Sequence, residues 1–363
     1  MEYLQQSSKS LRVGVLPYYY GPDANPYQKL FCDSLEASGC SVARIQKSRF
    51  FPTNEILDNQ LEIVQFDWLS NFYTGKNRLS TFVKRNSFFN RLKQLHHIKK
   101  VWTIHNLFSH DSKNSRFEKK VMEGIVNRCD GLIFHTSLAK DIFSESIQIR
   151  NIPHAVVPHG HYIDAYENTI SRQEARKALC IPNSSKVVLF FGRMRKYKGL
   201  EELVHSFART CDLETDFLVL AGLPFPDYPV EELRKLAANL KIKNFIFEPR
   251  LIDESEFQIF FNSCDIVSLP FKNILNSGSL ILAMSFGCPI VAPKIGSIPE
   301  VVYKEAYWGY EPDDKNGLDI AITLALSNAS LQSEKRNQNI SACKNKLSWK
   351  KIGAQLKDFY ETL

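Results

Sequence analysis

Short runs of apolar residues recur along the chain, and stretches with helical spacing lie between most of them. In the first half the runs are Leu11–Leu16, Val42–Ile45, Ile63–Phe66, Val101–Ile104, Gly131–Phe134 and Ala155–Val157. Tyr27–Gly39 has helical period and stops at a glycine, and 78–97 and 115–128 repeat that period. In the second half Lys186–Phe191, Phe217–Ala221, Phe245–Phe247, Ile266–Leu269 and Pro289–Ala292 read as strands. Helical segments follow at 199–209, 230–240, 254–263, 278–286 and 316–327. Strands alternating with helices predict a parallel sheet covered on both faces, so the chain predicts two doubly wound α/β domains in tandem. The polar residues 164–185, with an Arg/Glu-rich helix, read as the linker region. A last amphipathic helix spans Ser348–Leu363, with Ser348 as its N-cap.

Composition supports this outline. The chain has 363 residues, 44% of them hydrophobic and 23% charged, and a mean hydropathy of −0.24. That length suits two domains, and the apolar content excludes disorder as the main state. No run approaches the roughly 20 apolar residues of a spanning helix. The N-terminal MEYLQQSSKS has no apolar signal core. A soluble or peripheral protein, not exported by a cleaved signal, is expected. The eight cysteines form no Cys-x-x-Cys pair; they read as small core residues in a reducing compartment.

Charge changes the picture. The formal charge is +7, and residues 1–150 hold 21 Lys and Arg against 14 Asp and Glu, while the rest hold 25 of each. From Trp68 to His110 there is no acidic residue and there are eight Lys and Arg. Phe82, Phe88, Phe89, Leu92, Leu95 and Ile98 interleave with them at helical spacing. A basic amphipathic helix of this kind suits an anionic membrane surface, so peripheral contact through 78–100 is expected, with much of the apolar stripe in the core. No nucleic-acid-binding motif is present, and nucleic acid is not an expected partner.

In parallel sheets ligands bind beyond the carboxyl ends of the strands. Gly192-Arg193-Met194-Arg195-Lys196-Tyr197-Lys198-Gly199 follows a predicted strand directly. Cations beside a helix N-terminus suit a diphosphate. Asn276-Ser277-Gly278-Ser279 stands at another strand-to-helix junction, where glycine lets backbone approach an anion and hydroxyls add donors. In the first half, Val101–Leu107 places His105 at a strand end, with His110 and Asp111 close behind. A histidine there can take or share a proton near neutral pH, and Asp111 is a candidate base. Phe66-Asp67-Trp68 ends another strand and offers Trp68 as a stacking surface. His135 and Ser137 end a further one. No GxGxxG or Walker loop appears, so dinucleotide and ATP chemistry have no support.

Four segments together resemble the C-terminal half of GT-B glycosyltransferases. GRMRKYKGLEELVHSFA is similar to their Gly-Arg…Lys-Gly segment, and NSGSLILAMSFGCPIVAPKIGSIPEVV to their donor-site helix, strand and Gly-x-x-Glu turn. PRLIDESEFQIFFNSCDIVSLPF resembles the preceding segment and SWKKIGAQLKDFYETL the last helix. The resemblance implies two Rossmann-like domains facing a cleft. Residues 1–168 would bind the acceptor, 169–345 would bind a nucleotide-diphosphate sugar, and 346–363 would return to the N-terminal domain. Carried over, Arg193 and Lys198 neutralise the diphosphate, and main chain of Ser277, Gly278 and Ser279 cradles its distal phosphate. Main chain around Arg250–Ile252 meets the base. His105 meets the donor sugar or the acceptor hydroxyl, and Asn25 and Tyr27 belong to a segment resembling the acceptor loop of bacterial polysaccharide enzymes. Pro158-His159-Gly160 resembles the family's interdomain turn. Where the large retaining group carries Glu-x7-Glu, this chain has Ile274 and Leu282, which leaves a retaining or inverting course open. Glu300 is present in the later turn. The Asp-x-Asp motif of the other main glycosyltransferase fold is missing, and no metal is expected, since cations are available to neutralise the leaving group.

The expected function is transfer of a hexose from a UDP- or GDP-sugar to a saccharide or lipid-linked saccharide, in cell-surface polysaccharide or glycan synthesis. No cofactor besides the donor is expected, and the expected location is the cytoplasm, at the inner face of the membrane. Two other readings stand beside it. One is a sugar-nucleotide epimerase or hydrolase on the same fold. The other is a non-catalytic carbohydrate-binding protein, which the apolar residues at 274 and 282 keep open.

Overall fold

The computed structural model describes residues 10–19, 21, 25–107, 115–149, 151–226 and 228–363. The chain forms two compact units. One runs to Gly160 and takes in Trp349–Leu363; the other is His161–Ser348.

The first unit carries strands β1 (Arg12–Tyr18), β2 (Ser41–Gln46), β3 (Ile63–Phe66), β4 (Lys99–Ile104), β5 (Gly131–Phe134) and β6 (His154–Val156). All pairs are parallel, in the order β2-β1-β3-β4-β5-β6. β3 and β5 are buried at every position, as apolar runs covered by helices require. The order reverses between β1 and β3, so the loops leaving these two strands part and open a crevice at their carboxyl ends.

The final helix, Trp349–Glu361, belongs to this unit. A Cβ on Gly353 would lie 2.1 Å from the Ser34 carbonyl oxygen, so only glycine lets the helix lie against Tyr27–Ala37. Tyr360 Oη donates to Gln65 Oε1 at 2.9 Å, and Gln65 Nε2 donates to Thr103 Oγ1 at 2.5 Å. The chain end is thereby fastened to the middle of β3 and β4.

The second unit carries β7 (Val187–Phe191), β8 (Phe217–Ala221), β9 (Phe245–Glu248), β10 (Ile266–Ser268), β11 (Ile290–Pro293) and β12 (Tyr307–Tyr310). Its order is β12-β11-β10-β7-β8-β9, again all parallel, and the reversal falls between β7 and β10. β12 and the helix Ala329–Asn345 lie outside the predicted elements. The strand is a short, half-exposed sheet edge. The helix is polar on most sides and is held instead by buried Asn339, which donates to the Cys288 carbonyl at 2.8 Å.

Residues 164–185 are not a linker. Arg176 is 0% exposed. Its guanidinium donates to the carbonyls of Ser263, Pro182 and Asn183 at 3.0, 2.9 and 2.8 Å and pairs with Asp265 at 3.0 Å. The unit begins earlier still, because Tyr162 N donates to Ser285 Oγ at 2.9 Å. Its end lies at Ser348, not 345, with His161 N bonded to the Leu347 carbonyl at 3.1 Å. Cys32, Cys40, Cys264, Cys288 and Cys343 are core residues. Among the described residues no helix is long and apolar enough to cross a membrane.

Candidate active site

In the second unit β7 runs into Gly192, whose φ of 138° suits glycine. A Cβ there would lie 2.5 Å from Ser279 Oγ, so the turn and the start of the helix Gly278–Ser285 meet at the reversal point. Ser277 caps that helix, its Oγ accepting from Leu280 N at 3.2 Å. The amides of Gly278 and Ser279, in the first helical turn, have no acceptor within the helix.

The next turn, Lys196–Lys198, closes on Gly199 at φ 70°, where a Cβ would lie 2.0 Å from the Pro270 carbonyl oxygen. This close approach packs Lys198 beneath the loop after β10. Lys198 is 6% exposed, with Nζ 4.2 Å from the Phe271 ring centre and 5.4 Å from that of Tyr197. No carboxylate or hydrogen-bond acceptor meets its ammonium among the described residues. Burial, and then the charge of Arg195, pushes its pKa down to about 7. The Arg195 guanidinium lies over Phe225, 4.0 Å from its centre. A buried cation packed on ring faces, in the same unit as helix-terminal amides that lack an acceptor within the helix, suits an anion.

In the first unit Asp67 follows β3, His105 follows β4 and His135 follows β5. Ile104 pairs with Phe134, so His105 and His135 stand side by side on neighbouring strands. His105 Nε2 lies 2.9 Å from Asp67 Oδ1, and Gln28 Nε2 donates to Asp67 Oδ2 at 2.8 Å. Gln28 also donates to the Pro17 carbonyl at 2.7 Å and accepts from Tyr19 N at 2.9 Å, tying the end of β1 to Asp67. His105 Nδ1 faces His135 Nε2 at 3.3 Å, and His135 Nδ1 faces the Val157 carbonyl at 3.0 Å.

This chain of contacts dictates the proton count. His135 Nδ1 must carry a proton to meet a carbonyl, and His105 Nε2 must carry one to meet the carboxylate. The two remaining nitrogens face each other across a gap that holds one proton or none. Burial, then the charges of His105 and His159, lowers the His135 pKa well below the ordinary histidine value. Asp67 stands at the other side of the His105 ring. Two ring nitrogens facing each other beside a buried carboxylate can accept a proton.

Aromatic rings wall this cluster. Trp68, half-buried, stacks on His105 at 4.5 Å and 22°. Tyr27 is 2% exposed and meets His105, His159 and Trp349 with ring centres 5.3, 4.6 and 5.8 Å away. It packs the cluster from beneath rather than offering a face to solvent. Asn25 Oδ1 accepts from Tyr27 N at 2.9 Å and starts that helix.

The structure thus gathers Lys198, Ser277, Gly278 and Ser279 in one unit, and His105, Tyr27 and Trp68 in the other. Arg193 is exposed on the same turn as Lys198. The Arg250 side chain is engaged by Glu248 and Glu256 at 2.9 and 2.6 Å, and Ile252 is buried. Ile274 and Leu282 are core residues. Asp111 lies outside the described residues. The roles of Asp67, Gln28 and His135 are not marked by any motif. Their one signal is position, since Asp67 and His135, like His105, come directly after a strand.

Residues 171–346 match the model of the family described as glycosyl transferases group 1. Over 291 residues the chain is 25% identical to a GDP-mannose:glycolipid 4-beta-D-mannosyltransferase of Xanthomonas campestris pv. campestris, covering 78% of this chain and 74% of that protein. It is 27% identical over 216 residues to a D-inositol 3-phosphate glycosyltransferase of Corynebacterium efficiens, covering 57% of this chain but only 50% of the relative. Among solved structures, HepE of Anabaena with UDP-glucose aligns with a TM-score of 0.74 at 16% identity, covering 97% of this chain and 100% of that one. Sucrose-phosphate synthase of Thermosynechococcus elongatus aligns at 0.73 and 16%, covering 97% and 98%. At such identities these two likenesses speak for the fold, which is GT-B.

Proposed function

We infer, from the match of residues 171–346 to the glycosyl transferases group 1 model, that the chain moves a hexose from a UDP- or GDP-sugar to a saccharide or lipid-linked saccharide in surface-glycan synthesis. The observation that carries this reading is Lys198, a buried ammonium with no anionic partner among the described residues, on the segment whose first residue, Gly192, meets Ser279 at the start of the helix Gly278–Ser285. A diphosphate supplies the missing charge and fills both kinds of donor. The mannosyltransferase of Xanthomonas, named for GDP-mannose and a glycolipid, favours a lipid-linked acceptor.

In the proposed reaction the bond between the sugar's anomeric carbon and the diphosphate oxygen breaks, and the diphosphate leaves with the electron pair. Lys198, Arg193 and the helix amides stabilise the charge that develops on it. The acceptor oxygen bonds to the anomeric carbon and loses its proton. That proton goes to the nitrogens facing each other on His105 and His135, and Asp67 offsets the charge. Gln28 and Trp68 are positioning residues for Asp67 and the His105 ring. The donor site needs no further cation for this step, so activity is expected to persist after chelation.

The test is transfer from a panel of UDP- and GDP-sugars to membrane extract and to soluble saccharides, comparing the native chain with Lys198→Met and His105→Ala. Loss of transfer in both variants, with nucleotide binding weakened only by Lys198→Met, is the expected result. Equal donor affinity and equal transfer in Lys198→Met would overturn the reading. Sugar release without acceptor at the full rate would make the protein a hydrolase instead.

A further inference from the structure

The helix Arg78–Lys93 starts at a capping box formed by Asn77 and Ser80 and buries Phe88 and Leu92 against the first unit. Its opposite side is unusual. Leu79, Phe82 and Val83 are 74, 54 and 53% exposed, and their spacing puts them on one face. Scattered exposed apolar side chains are ordinary on a surface, but three together on a basic helix are not.

Beside this patch lies a cavity of about 230 Å³, between that helix and the helix Ser115–Val126. Arg85, Phe89 and Lys93 line it from the first helix, and Lys120, Gly124 and Arg128 from the second helix and its end. Gly124 is needed for the fit, since a Cβ there would lie 2.8 Å from the Phe89 ring. Arg128 lies over that ring at 4.9 Å. Arg85 lies 5.3 Å from the Phe82 ring centre, so the pocket and the apolar patch are continuous. No carboxylate lines the pocket, and none pairs with any of these four cations among the described residues.

Four converging cations without a counter-charge call for an anion, and the adjoining apolar face calls for an apolar medium. We propose that this face docks on an anionic phospholipid bilayer, with a lipid phosphate in the pocket and Leu79, Phe82 and Val83 at the boundary between headgroups and acyl chains. The exposed aliphatic side chains select this partner over a nucleic acid, which would gain nothing from Leu79 or Val83. The proposal does not depend on which sugar the protein transfers, and its test uses no sugar.

The full chain is sedimented with vesicles of phosphatidylcholine alone and of phosphatidylcholine mixed with phosphatidylglycerol. Binding is expected to be at least about tenfold stronger on the mixed vesicles and to weaken as salt is raised. The combined variant Arg85→Gln, Lys120→Gln, Arg128→Gln should lose that preference. Leu79→Ser with Phe82→Ser and Val83→Ser should weaken binding to mixed vesicles at least about tenfold while the salt dependence remains. Unchanged thermal melting and nucleotide affinity in both variants would show that each is folded. Equal binding to both kinds of vesicle, or an unaffected charge variant, would overturn the proposal. So would complete displacement by millimolar inorganic phosphate, which would mark a free-phosphate site. Tighter binding of single-stranded RNA than of mixed vesicles, lost in the charge variant, would overturn it in favour of nucleic acid.

Discussion

His105 Nε2 stands 2.9 Å from Asp67 Oδ1, although the two residues are 38 positions apart in the chain. The contact fixes which ring nitrogen carries a proton and leaves the other turned to His135. If Asp67 acts by holding and balancing the ring, Asp67→Asn should keep the fold and the nucleotide affinity. It should lower kcat by about 10²- to 10⁴-fold, the usual range for proton-transfer groups. The pH dependence of kcat should move as well, which a purely structural loss would not produce. A parallel fall in donor affinity would place Asp67 in binding instead.

If Lys198 meets the donor diphosphate, donor binding should depend on pH. Its pKa of about 7 in the unliganded protein rises again when a diphosphate is bound. Above pH 7, then, binding takes up a proton, and raising the pH weakens it. Calorimetry with UDP or GDP should show affinity falling by up to about tenfold per pH unit above 7. Lys198→Met should bind weakly at every pH with no such slope.

The buried histidines make the first unit sensitive to acid. Burial pushes the His159 pKa down to about 4, and His135 is lowered too. An unfolded chain protonates both near 6.5, so it binds more protons than the folded chain in the window between about 4 and 6.5. Stability therefore falls as pH falls through that window. Melting followed by Trp fluorescence should show Tm lower by about 5 °C or more at pH 5 than at pH 7. His159→Gln should flatten the dependence, and a flat profile in the native chain would contradict the account.

Gly199→Ala tests the turn that buries Lys198. A left-handed φ of 70° costs about 1 kcal/mol for alanine, and its Cβ would meet the Pro270 carbonyl oxygen. A Tm decrease of several degrees with weakened UDP or GDP binding is expected. Gly278→Ala is the comparison, because a Cβ there meets only Tyr162 Oη, at 3.9 Å. That variant should melt within about 2 °C of the native chain.

The sequence by itself determined the parts that local chemistry decides. Apolar runs such as Val187–Phe191 marked the buried parallel strands, and all five of those positions are buried. The residues read as an anion site could be picked out because they are contiguous, Gly192–Gly199 and Ser277–Ser279 each lying in one segment between a strand and a helix. The helix Ala329–Asn345 escaped the pattern because its hold is a buried amide rather than an apolar stripe. Residues 164–185 read as linker because a polar, Arg-rich segment looks solvated; only packing shows that Arg176 meets four partners inside the unit, the carbonyls of Ser263, Pro182 and Asn183 and the Asp265 carboxylate. Only tertiary structure decided the proton chain. Asp67, His105 and His135 come directly after three strands, and which nitrogen meets which oxygen depends on sheet register to within a single residue, since a slip of one turns every side chain to the other face. Spacing along the chain carries no record of that register.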